Sequence, residues 1–207
     1  STPYQESEDR AWLLTQMSHL SFVGGDLPQA ERFATGALGI FPRYHYALAA
    51  LAQVRTSQNR YREAVDLQQQ RYKVAPHAEN LFSLAEALKR AGRDQEASQA
   101  FAEFERQSLK ESNIGDNSNH ELMAYYADYA NQPAKALALA KQELKRRQDI
   151  VTRDCYAWAL QASGDYAQAS AEIQKVLALG TEDPKIREHA KVIAEHMHRA
   201  QLETSRK

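Results

Sequence analysis

Asp128, Asp154 and His189 are the residues whose types could do chemistry together, because a carboxylate hydrogen-bonded to an imidazole fixes its tautomer and its direction. In the interior of a helical protein the same trio would serve as a hydrogen-bond network that holds one element against the next, and buried polar groups are normally paired in that way. That second reading is the favoured one. Cys155 lies two residues after Arg153, whose charge would lower a thiol pKa. No histidine stands at a spacing that marks Cys–His catalysis, so Cys155 is expected to be a small packing residue. His196 and His198 are two positions apart, on different faces of a helix and without a cysteine partner, so no metal is expected. Lys141, Lys145, Arg146 and Arg147 form a basic cluster that, with aromatic neighbours, would suit single-stranded nucleic acid. Cations at a helix C-terminus face unpaired carbonyls, which explains the cluster without a nucleic-acid partner, and none is expected. The sequence carries no Gly-rich phosphate loop, zinc-protease motif or nucleophile elbow. Neither a cofactor nor catalysis is expected.

The elements that must position these residues are helices. Only eight Gly and six Pro interrupt 207 residues, and the 43% hydrophobic fraction is rich in Ala and Leu. Charge is balanced, 26 basic against 27 acidic residues, so no global field steers the chain toward nucleic acid or anionic lipid. No apolar run approaches the ~20 residues needed to cross a bilayer, and the chain is expected to be soluble without membrane insertion. A single cysteine allows no internal disulfide and leaves the compartment open. The start at Ser1-Thr2-Pro3 rather than Met fits a processed chain.

The helices repeat. Gly25 to Ala30, Asn59 to Ala64, Gly92 to Ala97 and Gly164 to Ala169 each place a turn residue five positions before an alanine, and Asn131 to Ala136 is a degenerate copy. The period is ~34 residues, with one longer interval between the third and fourth copies. Upstream of each turn stands an apolar residue followed by a small one: Met17-Ser18, Leu51-Ala52, Leu84-Ala85, Met123-Ala124 and Tyr156-Ala157. Small residues let two helix backbones approach to ~8 Å. Pro42 and Pro76 follow second helices that they cannot continue.

From Ala11 to Asp183 the chain resembles the tetratricopeptide repeat family, in which helix pairs stack around such turns. Departures are the replacement of an aromatic early in the first helix by Leu14, Leu48, Leu81, His120 and Arg153, and polar residues Gln68, Arg71 and Glu143 at inward second-helix positions. From Leu81 to Met197 it is similar to a bacterial subset marked by Tyr126-Ala127-Asp128, by Asp154 to Leu160, by Leu179 to Asp183 and by His189-Ala190. That resemblance implies export, to the periplasm, with a cytoplasmic location as the alternative.

The resemblance implies an all-α, right-handed superhelical solenoid of about five repeats with a capping helix. Residues 1–10 are expected to form a polar N-terminal segment, and 11–183 the array, with repeats at 11–44, 45–77, 78–110, 117–149 and 150–183. A loop insertion is expected at 110–119, and a capping helix and tail at 184–207. In this family the first helices line a concave face, with their second, fifth, ninth and twelfth positions directed into it. Here those positions include Trp12, His19, Tyr46, Gln53, Phe82, Glu86, Lys89, Tyr125, Asp128, Asp154, Trp158 and Gln161. The cationic clamp that some members use for a peptide carboxylate is missing, its places holding Thr15, His19, Gln53 and Glu79. The implied function is a scaffold for a protein or peptide partner, with self-association as the alternative. A ligand site around Asp128, Asp154 and His189 is the third reading.

Overall fold

The structure, a computed structural model, describes residues 2–111 and 117–204. Every regular element among them is helical. The chain divides into two compact units, Ser1–Leu109 and Lys110–Lys207. The first holds α1 (Pro3–Val23), α2 (Leu27–Ile40), α3 (His45–Ser57), α4 (Tyr61–Val74), α5 (Ala78–Arg90) and α6 (Asp94–Glu111), whose last two residues pass the boundary. The second holds α7 (Asn119–Ala124) continuing into a π-helical turn (Tyr125–Tyr129), then α8 (Pro133–Arg146), α9 (Ile150–Ala162), α10 (Tyr166–Leu177) and α11 (Pro184–Thr204).

Each hairpin turn is built by the residue that sequence spacing singled out. Gly25, Asn59, Gly92, Asn131 and Gly164 all adopt positive φ, between 51° and 82°. Glycine and asparagine enter this left-handed region most readily, which is why these types recur. At four of the five turns the next residue donates its N–H to a carbonyl five positions back: Asp26 to Ser21, Arg60 to Arg55, Arg93 to Leu88 and Asp165 to Leu160, at 2.8–3.0 Å. These are Schellman closures, which satisfy carbonyls at the helix end. Asp26 and Asp165 then cap the following helix, each accepting from the N–H three residues on.

At the fifth turn the bond runs from Gln132 to Tyr126, six positions back. The π-helical turn Tyr125–Tyr129 carries one extra residue, so the long interval between the third and fourth repeats is not all loop. Of the expected insertion at 110–119, α6 covers the start through Glu111 and α7 begins at Asn119; positions 112–116 lie outside the described residues.

The recurring alanines sit where the helices cross. Ala30, Ala64, Ala97, Ala136 and Ala169 are all buried, as are their first-helix counterparts Ser18, Ala52, Ala85 and Ala157. Ser18 also donates its hydroxyl to the Ala30 carbonyl at 2.8 Å, tying α1 to α2. In the first unit, Phe82 of α5 packs on Phe101 and Phe104 of α6, with ring centroids 5.8 and 5.0 Å apart. Arg55 on α3 pairs with Glu31 on α2 at 2.7 Å, joining the first two repeats. In the second unit Leu160, Ile173, Val176, Ile186 and Ile193 form one core, so α11 closes it with Ile186 and Ile193 and turns Lys185, Arg187, Lys191 and Arg199 outward.

The start of the chain differs from expectation. Residues 3–10 are not a separate polar segment but the first turns of α1, which begins at Pro3 with Thr2 as its cap, the hydroxyl accepting from Gln5 N–H at 3.2 Å. The Thr-Pro pair is a helix-start signal, since proline at the first position lacks only an N–H that has no helical partner. α1 also carries Leu13, Met17 and Leu20 exposed on the side opposite its buried Ala11, Thr15 and Ser18.

Candidate functional site

The residues expected on the concave face divide into exposed and buried sets. In the first unit Trp12 and Tyr46, at the same place in successive first helices, are 49% and 51% exposed. His19 and Gln53, seven residues further along each helix, are also exposed, and Glu86 at the equivalent place on α5 is half-buried. Lys89 is exposed and forms an ion pair with Asp94 at 2.7 Å.

Phe82 and Asp154 correct the expectation: both are only 4% exposed. They occupy the fifth position of their first helices, as does Thr15, which is buried with its hydroxyl bonded to the Ala11 carbonyl. At that position the side chain turns into the helix packing, Phe82 against α6 and Asp154 toward α11. A family register applied evenly to every first helix hides this difference.

In the second unit four residues interlock. Asp154 on α9 holds His189 on α11, its two carboxylate oxygens 2.9 and 3.0 Å from the imidazole Nδ1, and both residues are buried. The His189 ring stacks on the indole of Trp158, centroids 4.1 Å apart and planes inclined by 12°. Trp158 in turn donates its Nε1–H to Asp128 Oδ1 at 2.7 Å. Asp128, Asp154 and His189 are thus brought together, with Trp158 as the link between them. Asp154 and His189 are the buried network favoured from the sequence. Asp128 is exposed, on the π-helical turn opened by the half-buried Tyr125. Loss of water around Asp128 raises its carboxyl above the ordinary value, and the Trp158 bond with nearby Lys185 and His189 offsets this only in part. Gln161, a turn beyond Trp158, bonds to His196 at 2.8 Å.

The remaining chemical candidates resolve into structure. Burial pushes the Cys155 thiol up to about 12, opposite to the lowering that Arg153 would produce. Arg146 and Arg147 of the basic cluster reach Glu143, at 2.8 and 3.4 Å. Glu143 is buried and also accepts from Asn119 at 2.8 Å. His120 bonds to Thr152 at 3.0 Å, and burial lowers its imidazole below the ordinary value, with Arg147 adding to the effect. No group of three potential metal ligands exists among the described residues.

No protein-family model matches the sequence, and no curated protein matches it either. Solved structures do match in fold. A thermophilic tetratricopeptide repeat protein of Thermus thermophilus, TTC0263, aligns over 90% of this chain and 98% of its own, at 18% identity and a TM-score of 0.64. The fold is that of tetratricopeptide repeat solenoids. PilF of Pseudomonas aeruginosa aligns over all of both chains at 19% identity and a TM-score of 0.57. A putative kinesin light chain with nearly identical repeats, from Podosopora anserina, covers 87% of this chain and 97% of its own, at 19% identity and 0.51. At these identities the likeness is one of architecture.

Proposed function

We propose that the chain is a non-enzymatic scaffold whose first helices bind a segment of a protein partner. The observation that carries this reading is the pairing of Trp12 and Tyr46, large rings exposed at one register position while the adjacent Ala11 and Ala47 are buried. Aromatic side chains present wide contact area at low entropic cost, and so dominate recognition surfaces. Within the first unit the binding residues are Trp12, His19, Tyr46, Gln53, Glu86 and Lys89, and within the second Tyr125, Asp128 and Trp158. Phe82 and Asp154 support the surface from beneath.

The test is selection of binders from a random 12-residue peptide library on the immobilised chain, followed by anisotropy titration of a selected peptide. Trp12→Ala/Tyr46→Ala or Tyr125→Ala/Trp158→Ala should weaken binding at least tenfold, ~1.4 kcal/mol. Affinity unchanged by both pairs would refute the reading.

Self-association is a second reading, favoured by one observation: Leu13, Met17 and Leu20 line the open face of α1. Three large apolar side chains exposed together on one helix face form a patch that a second copy of the chain could cover. Light scattering that gives 23.4 kDa at every concentration would remove this reading.

A further inference from the structure

Asp128 differs from the other carboxylates around it. Among the described residues its only hydrogen bond comes from a neutral donor, the Trp158 indole, and it takes part in no ion pair. Asp154 is held by His189 and Glu143 by two arginines, whereas Lys185 and His189 influence Asp128 only as nearby charges. Asp128 is exposed, and its carboxylate, bonded only by the indole edge, is open to a cationic partner. The adjoining indole is held rigidly, its edge bonded to Asp128 and one face stacked on His189, while the side chain stays half-exposed. The π-helical turn, a rare element that often marks functional positions, carries Asp128.

We propose that Asp128 and the exposed part of the Trp158 indole form a subsite for an arginine side chain of the bound segment. The guanidinium hydrogen-bonds to the Asp128 carboxylate while its plane lies against the indole. Arginine suits such a place better than lysine, because its planar head both forks onto a carboxylate and stacks on an aromatic ring. The subsite rests on the reading of the first helices as a peptide-binding surface, and gives that surface its charge preference. His189 and Asp154 are positioning residues that hold the indole in place.

The test needs no natural partner. The chain has two tryptophans, so a 15N-labelled sample shows two indole N–H resonances, assigned with a Trp12→Phe variant. N-acetyl-arginine amide is titrated at constant ionic strength. The Trp158 resonance should move along a saturable curve with Kd in the millimolar range, and the Trp12 resonance should not follow it. N-acetyl-citrulline amide, the neutral isostere, should bind at least tenfold more weakly, and so should N-acetyl-arginine amide to Asp128→Asn. That variant keeps an oxygen to accept the Trp158 N–H, and an otherwise unchanged amide spectrum shows that the fold is intact. Equal binding of citrulline, equal binding to Asp128→Asn, or a Trp158 resonance that never moves would overturn the subsite. N-acetyl-lysine amide binding as tightly as arginine would overturn the guanidinium assignment. Failure here with selected peptides still bound through Trp12 and Tyr46 sinks the subsite alone. Saturable arginine binding with no peptide selected sinks the scaffold reading instead.

Discussion

Replacing His189 by alanine strikes the network of the second unit at its centre. Asp154 is left buried with no partner for either carboxylate oxygen, since both lie on His189 Nδ1. Breaking a buried pair from one side costs about 3–5 kcal/mol, and loss of the Trp158 stack adds about 0.5–1.5. Asp154→Ala leaves the buried His189 ring without its Nδ1 partner, and should cost about 1–3 kcal/mol. If the pair acts as a unit, the two losses overlap, and the double variant should be less damaged than their sum by about 1.5–3 kcal/mol. The assay is urea unfolding in a Trp12→Phe background, where fluorescence reports Trp158 alone and therefore the second unit. Additivity to within about 0.5 kcal/mol would refute the view that this pair fastens α11 to α9.

Ala97 lies buried at the start of α6, and Ala97→Leu should cost about 1–3 kcal/mol by overpacking; an unchanged melting midpoint would show that the helices do not meet there. With its thiol pushed up to about 12, Cys155 should react with iodoacetamide at pH 8 on the order of 10³-fold more slowly than a free cysteine, and at the ordinary rate in urea. For Asp128 the folded value lies above the unfolded one, so the folded form holds the proton more tightly. Stability from this group is greatest at acid pH and declines as pH rises from about 4 through the raised value. Melting midpoints should therefore favour Asp128→Asn over the unsubstituted chain progressively from pH 4 to 7, and parallel curves would contradict this.

The architecture was legible because its punctuation is local. A left-handed turn residue and an alanine five positions later each have a steric reason, so their recurrence located every hairpin, including the degenerate one at Asn131. The extra residue of the π-helical turn left no such mark. One added residue in a helix of ordinary composition changes no residue type, and in the sequence the Ser- and Asn-rich segment beside it accounts for the whole of the long interval. The burial of Phe82 and Asp154 was hidden for another reason. Which side a fifth-position residue takes depends on what the neighbouring helix offers, Phe101 and Phe104 in one unit and His189 in the other. Asp154 and His189 were paired from the sequence by type, but nothing there showed that Trp158 would join them to Asp128.

Amide hydrogen exchange with and without a library-selected peptide tests the binding account most directly. The peptide should slow exchange in the first helices of the unit that holds it, either α1, α3 and α5 or the π-helical turn and α9, and leave α2, α4, α8 and α10 as they were. Protection concentrated on the second helices would contradict it.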